Sequence, residues 1–173
     1  PKPNSITSSP NNLEEFVMSQ PAWTHTLYDE VYYQDLTTLP NQISNHHKLV
    51  IVSDASHTPD GPATFCFIIA STTKKFIHGI GHAKGPWQTM HSFRAESYGM
   101  LAALRYLQLL TTYYHLPPKT VEYYCDNQSL ISRNTWARKR TTTHPSYTAR
   151  TDYDVETAIL RTIKERGNCN IGS

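Results

Sequence analysis

Between residues 48 and 126, four short apolar runs stand in an order that few folds can accommodate. "KLVIVSD" (48–54), "ATFCFIIAST" (63–72) and "KFIHGIGHAKG" (75–85) follow one another closely. "TVEYYCD" (120–126) comes only after "HSFRAESYGMLAALRYLQLL" (91–110), whose apolar residues recur at helical spacing. Each run is continuous, brief and bounded by polar residues, as a buried strand is. The link "TTKK" (72–75) suits a hairpin, so the first three runs are predicted to form an antiparallel meander. A crossover helix then returns the chain, which places the fourth strand parallel to the first. The expected architecture is α/β, with a mixed sheet and flanking helices.

The remaining segments are less constrained. "PKPNSITSSPNN" (1–12) is polar and proline-bearing and reads as disordered. Residues 13–45 hold scattered apolar anchors, Phe16, Trp23, Leu27 and Val31, and read as a short helix plus a leader that packs on something. After the fourth strand, "NQSLISRNTWARK" (127–139) reads as helical and "TTTHPSYTART" (141–151) as a loop. "DYDVETAILRTIKERG" (152–167) has acids early, bases late and Gly167 to stop it, the marks of a helix. The organisation is thus a disordered leader and connecting segment over 1–47, a domain over 48–167 and a tail over 168–173. A length of 173 residues fits one domain, and the 11 prolines argue for long irregular stretches. A formal charge of +2 is too mild to prove a nucleic-acid partner. Cys66, Cys125 and Cys169 contain no CxxC, and an odd count suggests reduced thiols and an intracellular protein. No run approaches 18 apolar residues, so no membrane association is expected.

Within the long helix, the line Glu96, Met100, Ala103, Leu107, Leu110 is an apolar stripe headed by a carboxylate. A first-turn acid complements the helix dipole by roughly 0.3–1 kcal/mol, which is one reading. The other is that Glu96 faces a cation. The topology bears on the choice. The first strand ends in Ser53-Asp54 and the fourth in Cys125-Asp126, so neighbouring parallel strands set two carboxylates side by side, where sheets of this kind hold ligands. Each aspartate alone reads equally well as a turn residue. Three converging carboxylates repel one another. They suit a hard cation such as Mg²⁺, and a pair of ions about 4 Å apart suits in-line displacement at phosphorus. The rest of the stripe, from Met100 on, reads as core. His78 and His82 are four apart on a strand, a spacing that does not chelate as a helical pair does. His57 reads as an idle loop residue.

"VSDAS", "FRAESYGMLAALRYL" and "YYCDNQSLI" together resemble the ribonuclease H domain of reverse transcriptases from eukaryotic retrotransposons, over about Leu49 to Arg166. "PAWTHTLYDEV" more weakly resembles the connecting segment before that domain. The resemblance implies a ribonuclease H-like, five-stranded type of sheet and an endonuclease that cuts the RNA strand of RNA–DNA hybrids. It implies two Mg²⁺ ions in the complete domain, with Mn²⁺ able to substitute, and a polymerase domain in the parent chain. Asp54, Glu96 and Asp126 match the family's first three catalytic acids. Near them, Ser56 would meet an RNA 2′-hydroxyl, or is a simple turn residue. Asn127 and Gln128 would bond the nucleic-acid backbone or the neighbouring carboxylate. Arg133, Arg138, Lys139 and Arg140, with Trp136 among them, read as phosphate contacts beside an aromatic platform, or as a solvated helix end.

The family carries a fourth acid on a final helix that follows a fifth strand. Here helix 152–166 is followed only by "NCNIGS". The fifth strand and last helix are therefore read as missing, and the edge beside the fourth strand as unpaired. Asp152 reads as a helix cap and Asp154 as a first-turn acid. Asp152 and Asp154 are the candidates to replace the fourth acid, and Asp154 is the candidate metal ligand. Residues 1–173 are expected to bind a divalent metal weakly and to cleave hybrids poorly or not at all. The alternative is a catalytically dead ribonuclease H-like domain that serves as a structural or nucleic-acid-binding remnant.

Overall fold

The structure is a computed structural model that describes residues 12–59, 61–85, 90–126, 153–166 and 169–172. The strands are β1 (Glu30–Tyr33), β2 (Lys48–Ser56), β3 (Thr64–Ala70), β4 (Lys75–His82), β5 (Thr120–Tyr124) and β6 (Cys169–Gly172). The helices are α1 (Leu13–Met18), α2 (Leu39–Asn45), α3 (Ser92–Tyr113) and α4 (Tyr153–Arg166), with a 3₁₀ segment over Ala22–Tyr28. The strands form one sheet in the order β1-β4-β3-β2-β5-β6. β2, β3 and β4 are the predicted antiparallel meander, and β5 pairs parallel with β2 from Lys48↔Thr120 to Val52↔Tyr124. These orders and directions are those of a ribonuclease H-like sheet.

Strict alternation builds one face of the sheet into the core. Leu49, Ile51, Phe65, Phe67, Ile69, Val121 and Tyr123 are all buried, while their neighbours on the other face are more open. Gly79 belongs to the same face because the Phe67 ring lies across it; an added Cβ would sit 2.2 Å from Phe67 Cζ. α3 packs on this face through Met100, Ala103, Leu107 and Leu110, the predicted stripe, all fully buried. Its flank is covered by α4, whose Val155, Ile159 and Ile163 are buried. α3 is therefore a central helix, enclosed along most of its length, and its depth in the core is what brings Glu96 under cover.

Two edges differ from the sequence reading. The strand read as missing beside the fourth is present: β6 pairs parallel with β5, from Val121↔Cys169 to Tyr124↔Gly172. A four-residue run with Cys and Ile as its only apolar members carries almost no pattern. The open main-chain groups of β5 recruit it nonetheless, since edge pairing needs backbone and not alternation. At the other edge, β1 pairs antiparallel with β4, so the sheet extends into the segment read as a connector. Leu13, Leu27, Leu39 and Ile43 of that segment are buried, and the Tyr33 hydroxyl hydrogen-bonds that of Tyr106 on α3. Trp23, expected as an anchor, is instead exposed, with the Arg105 guanidinium 5.1 Å from its ring. The expected helix 127–139, the loop 141–151 and the Asp152 cap lie outside the described residues. No helix among the described residues is long and apolar enough to cross a membrane.

Candidate metal centre at the strand ends

The parallel register of β2 and β5 sets the site. Beneath it, the buried Ser53 hydroxyl hydrogen-bonds the Tyr123 hydroxyl across the two strands. Asp54 follows Ser53 on β2, and Asp126 lies just beyond β5. From above comes α3, which rides close on the sheet at Gly99: an added Cβ would stand 3.4 Å from Ser53 Cβ and from Phe65 Cβ. One turn before Gly99 on that helix is Glu96. Ligand oxygens of Asp54, Glu96 and Asp126 all lie within 4.8 Å of one another. That spread is of the order of the separation of about 4 Å between the ions of a two-metal site.

The dipole reading of Glu96 loses its premise. α3 begins at Ser92, and its cap is His91. His91 is extended, and its Nδ1 accepts a hydrogen bond from the Arg94 N–H at 3.3 Å. Glu96 is then the fifth helical residue, beyond the turn in which the dipole acts appreciably. α3 has no acid in its first turn.

The three acids differ in setting. Asp54 and Asp126 are exposed, whereas Glu96 is 6% exposed. Glu96 Oε1 accepts a hydrogen bond from the Ala55 N–H at 3.2 Å, and Asp54 Oδ1 accepts from the same N–H at 2.9 Å. One donor is thus shared by two carboxylates. Glu96 Oε2 is buried and has no hydrogen-bond partner among the described residues. Burial, then the charges of Asp126 and Asp54, push the Glu96 carboxyl up to about 7, against the pull of the Ala55 N–H. The thiol of Cys66, paired with Asp54 across β2 and β3, is likewise raised by burial and by the Asp54 charge. A buried acceptor without a donor is costly. A hard cation, which takes carboxylate oxygens and completes its shell with water, removes that cost.

Asp154, the candidate fourth acid, is held elsewhere. Arg94 Nη1 and Nη2 each donate to it at 2.9 Å, one to each carboxylate oxygen. Those hydrogen bonds hold its carboxyl below the usual carboxylate range. Ser56 is exposed at the end of β2, two residues from Asp54. His57 is half-buried, and its Nε2 has no partner among the described residues. His82 Nδ1 pairs with Asp29 at 2.6 Å, and His78 lies beside the Tyr32 ring. Asn127, Gln128, Arg133, Trp136, Arg138, Lys139 and Arg140 lie outside the described residues. Sequence reasoning missed Arg94, although its position two residues before the glutamate was a visible signal. It also missed the Ser53–Tyr123 pair, which had none. No protein-family model matches the chain, and no curated protein matches it.

Proposed function

We propose that this chain is a ribonuclease H-type domain of a retroelement reverse transcriptase, whose strand-end acids bind Mg²⁺ for hydrolysis of the RNA strand in an RNA–DNA hybrid. The observation that carries the proposal is the convergence of Asp54, Glu96 and Asp126 around a buried Glu96 oxygen that no described residue satisfies. A structural acid faces solvent or has donors for both oxygens; Glu96 is buried, and only its Oε1 has one among the described residues. The ribonuclease H-like strand order supports the reading, and the resemblance of "VSDAS", "FRAES" and "YYCDN" supplies the substrate class.

In this reading Glu96 is the buried ligand that fixes where the ion sits, and Asp54 and Asp126 are the solvent-facing ligands beside which a phosphodiester has access. The bound ion, with Mn²⁺ as an acceptable substitute, stabilises charge developing at phosphorus and makes water a better nucleophile near neutral pH. Ser56 stands where an RNA 2′-hydroxyl would be read, and the basic residues 133–140 supply phosphate contacts. The proposed setting is intracellular, beside a polymerase domain. Three acids with waters suffice for one ion, and the pairing of Asp154 with Arg94 leaves no fourth acid at the site among the described residues. That same observation favours the second reading, an inactive domain that retains the fold and nucleic-acid contact.

The test is a labelled RNA–DNA hybrid incubated with the chain and Mg²⁺ or Mn²⁺. Slow cutting of the RNA strand only, lost in EDTA and in Glu96→Gln, is expected. Absence of divalent-metal binding by calorimetry, or cleavage that survives Glu96→Gln, would overturn the assignment. Metal binding without cleavage selects the inactive reading.

A further inference from the structure

We infer that Arg94 is a positioning residue for the strand-end acids, a clamp that fixes the first turns of α3 against α4 and the turn after β4 and so sets where Glu96 stands. The inference rests on the metal-site reading above. Arg94 is 7% exposed, and its guanidinium is hydrogen-bonded on several sides among the described residues. Nη1 and Nη2 grip Asp154 on α4 in bidentate fashion, both at 2.9 Å. Nε and Nη2 donate to the Lys84 carbonyl at 3.2 and 3.1 Å, and Nη2 also reaches the Tyr98 hydroxyl at 3.4 Å. The chain around it is shaped to admit it. Gly85 has φ +146°, a conformation that L side chains rarely adopt, and an added Cβ would stand 3.1 Å from Arg94 Nε.

The clamp acts by geometry and not by charge. Residues two apart on a helix point in different directions. Arg94 therefore faces α4 while Glu96 faces the strand ends. Gripped from both sides, the start of α3 has little freedom to rotate or slide. A lysine cannot replace this function, since a point charge lacks the planar fork that holds a carboxylate and a carbonyl at once.

The experiment titrates Mg²⁺ into the full chain by calorimetry, with thermal melts in EDTA and in Mg²⁺. Arg94→Lys and Asp154→Asn are each expected to raise the Mg²⁺ half-saturation about tenfold, the usual scale for groups that orient metal ligands. Asp154→Glu, which keeps the carboxylate, should recover most of that loss. A clamp of purely structural value would lower the melting temperature equally with and without Mg²⁺ and leave the half-saturation unchanged, which overturns the inference. Should Arg94→Lys fail to fold, Asp154→Asn still decides, because the Asp154 side chain is mostly exposed. If the unaltered chain binds no Mg²⁺, the metal reading falls and the clamp with it. If it binds, Glu96→Gln abolishes binding and the clamp variants do not weaken it, the clamp alone falls.

Discussion

Arg94 and Glu96 stand two residues apart on one helix and are buried to nearly the same depth, yet they are treated in opposite ways. The guanidinium meets a carboxylate, a carbonyl and a hydroxyl. The carboxylate shares a single N–H with another acid, and one of its oxygens meets nothing among the described residues. A buried charge with a complete set of partners holds structure together. A buried charge whose set is incomplete stores a demand that a ligand can meet. The contrast separates what the fold needs from what the site does, without reference to any relative.

Removing the unmet demand should have the largest effect. Glu96→Gln is expected to abolish Mg²⁺ binding and any metal-dependent hybrid cleavage while leaving the chain in EDTA as stable as before or firmer, because it relieves repulsion among three carboxylates. A Glu96→Gln chain that melts far lower in EDTA would make Glu96 a structural residue and erase the contrast. Removing the satisfied charge should act the other way round. Arg94→Met is expected to cost about 1–3 kcal/mol in urea unfolding in EDTA and more in Mg²⁺, the scale for losing hydrogen bonds made by a charged group to partly buried acceptors. The cost stays below that of a fully buried pair, since Asp154 is largely exposed and water can take over.

A subtler difference lies in pH. With its folded carboxyl raised to about 7, Glu96 keeps a proton in the native state that the unfolded chain releases near the ordinary glutamate value. The native state then binds more protons across that interval, so its contribution to stability is fullest at acid pH and declines as pH rises to about 7. Mg²⁺ held by the ionised form would reverse the decline. The Mg²⁺-induced rise in melting temperature should accordingly be larger near pH 8 than near pH 5, and equal rises would deny Glu96 a place at the ion. The Arg94–Asp154 pair acts with the opposite sign: Arg94 holds the Asp154 carboxyl low, so its contribution is present at neutral pH and lost as pH falls through the aspartate range. The smallest effect is expected from His91→Ala, which removes one long cap and should cost under about 1 kcal/mol. If it cost more than Arg94→Met, the helix end would be held by its cap and not by the clamp.

Link lengths alone made the meander and the parallel return legible, since short turns force antiparallel neighbours and a helical crossover does not. With that topology, the positions of Asp54 and Asp126 at adjacent strand ends followed, and Glu96 was found because a charge heads an apolar stripe. What stayed hidden has a common cause. β1 and β6 are edge strands recruited by main-chain groups, which leave little trace in side-chain pattern. The Arg94–Asp154 pair joins residues 60 positions apart, and nothing local announces it. The orphaned oxygen of Glu96 is a property of packing and has no counterpart in a string of letters.

β6 carries one further consequence, for the order in which the sheet comes apart. It is four residues long and lies at the edge of the sheet, paired with β5 alone among the described residues. A short edge strand opens locally before a strand paired on both sides does. β2, flanked on both sides by β3 and β5, has no such freedom. In hydrogen exchange the amides of β6 should report a local fraying, those of β2 the unfolding of the whole domain. Each time β6 lifts away, β5 bares a row of unpaired main-chain groups, a docking template for the same edge of a second molecule. The four residues that scarcely register as a strand thus replace the longer edge of β5 with one too short to template much further pairing.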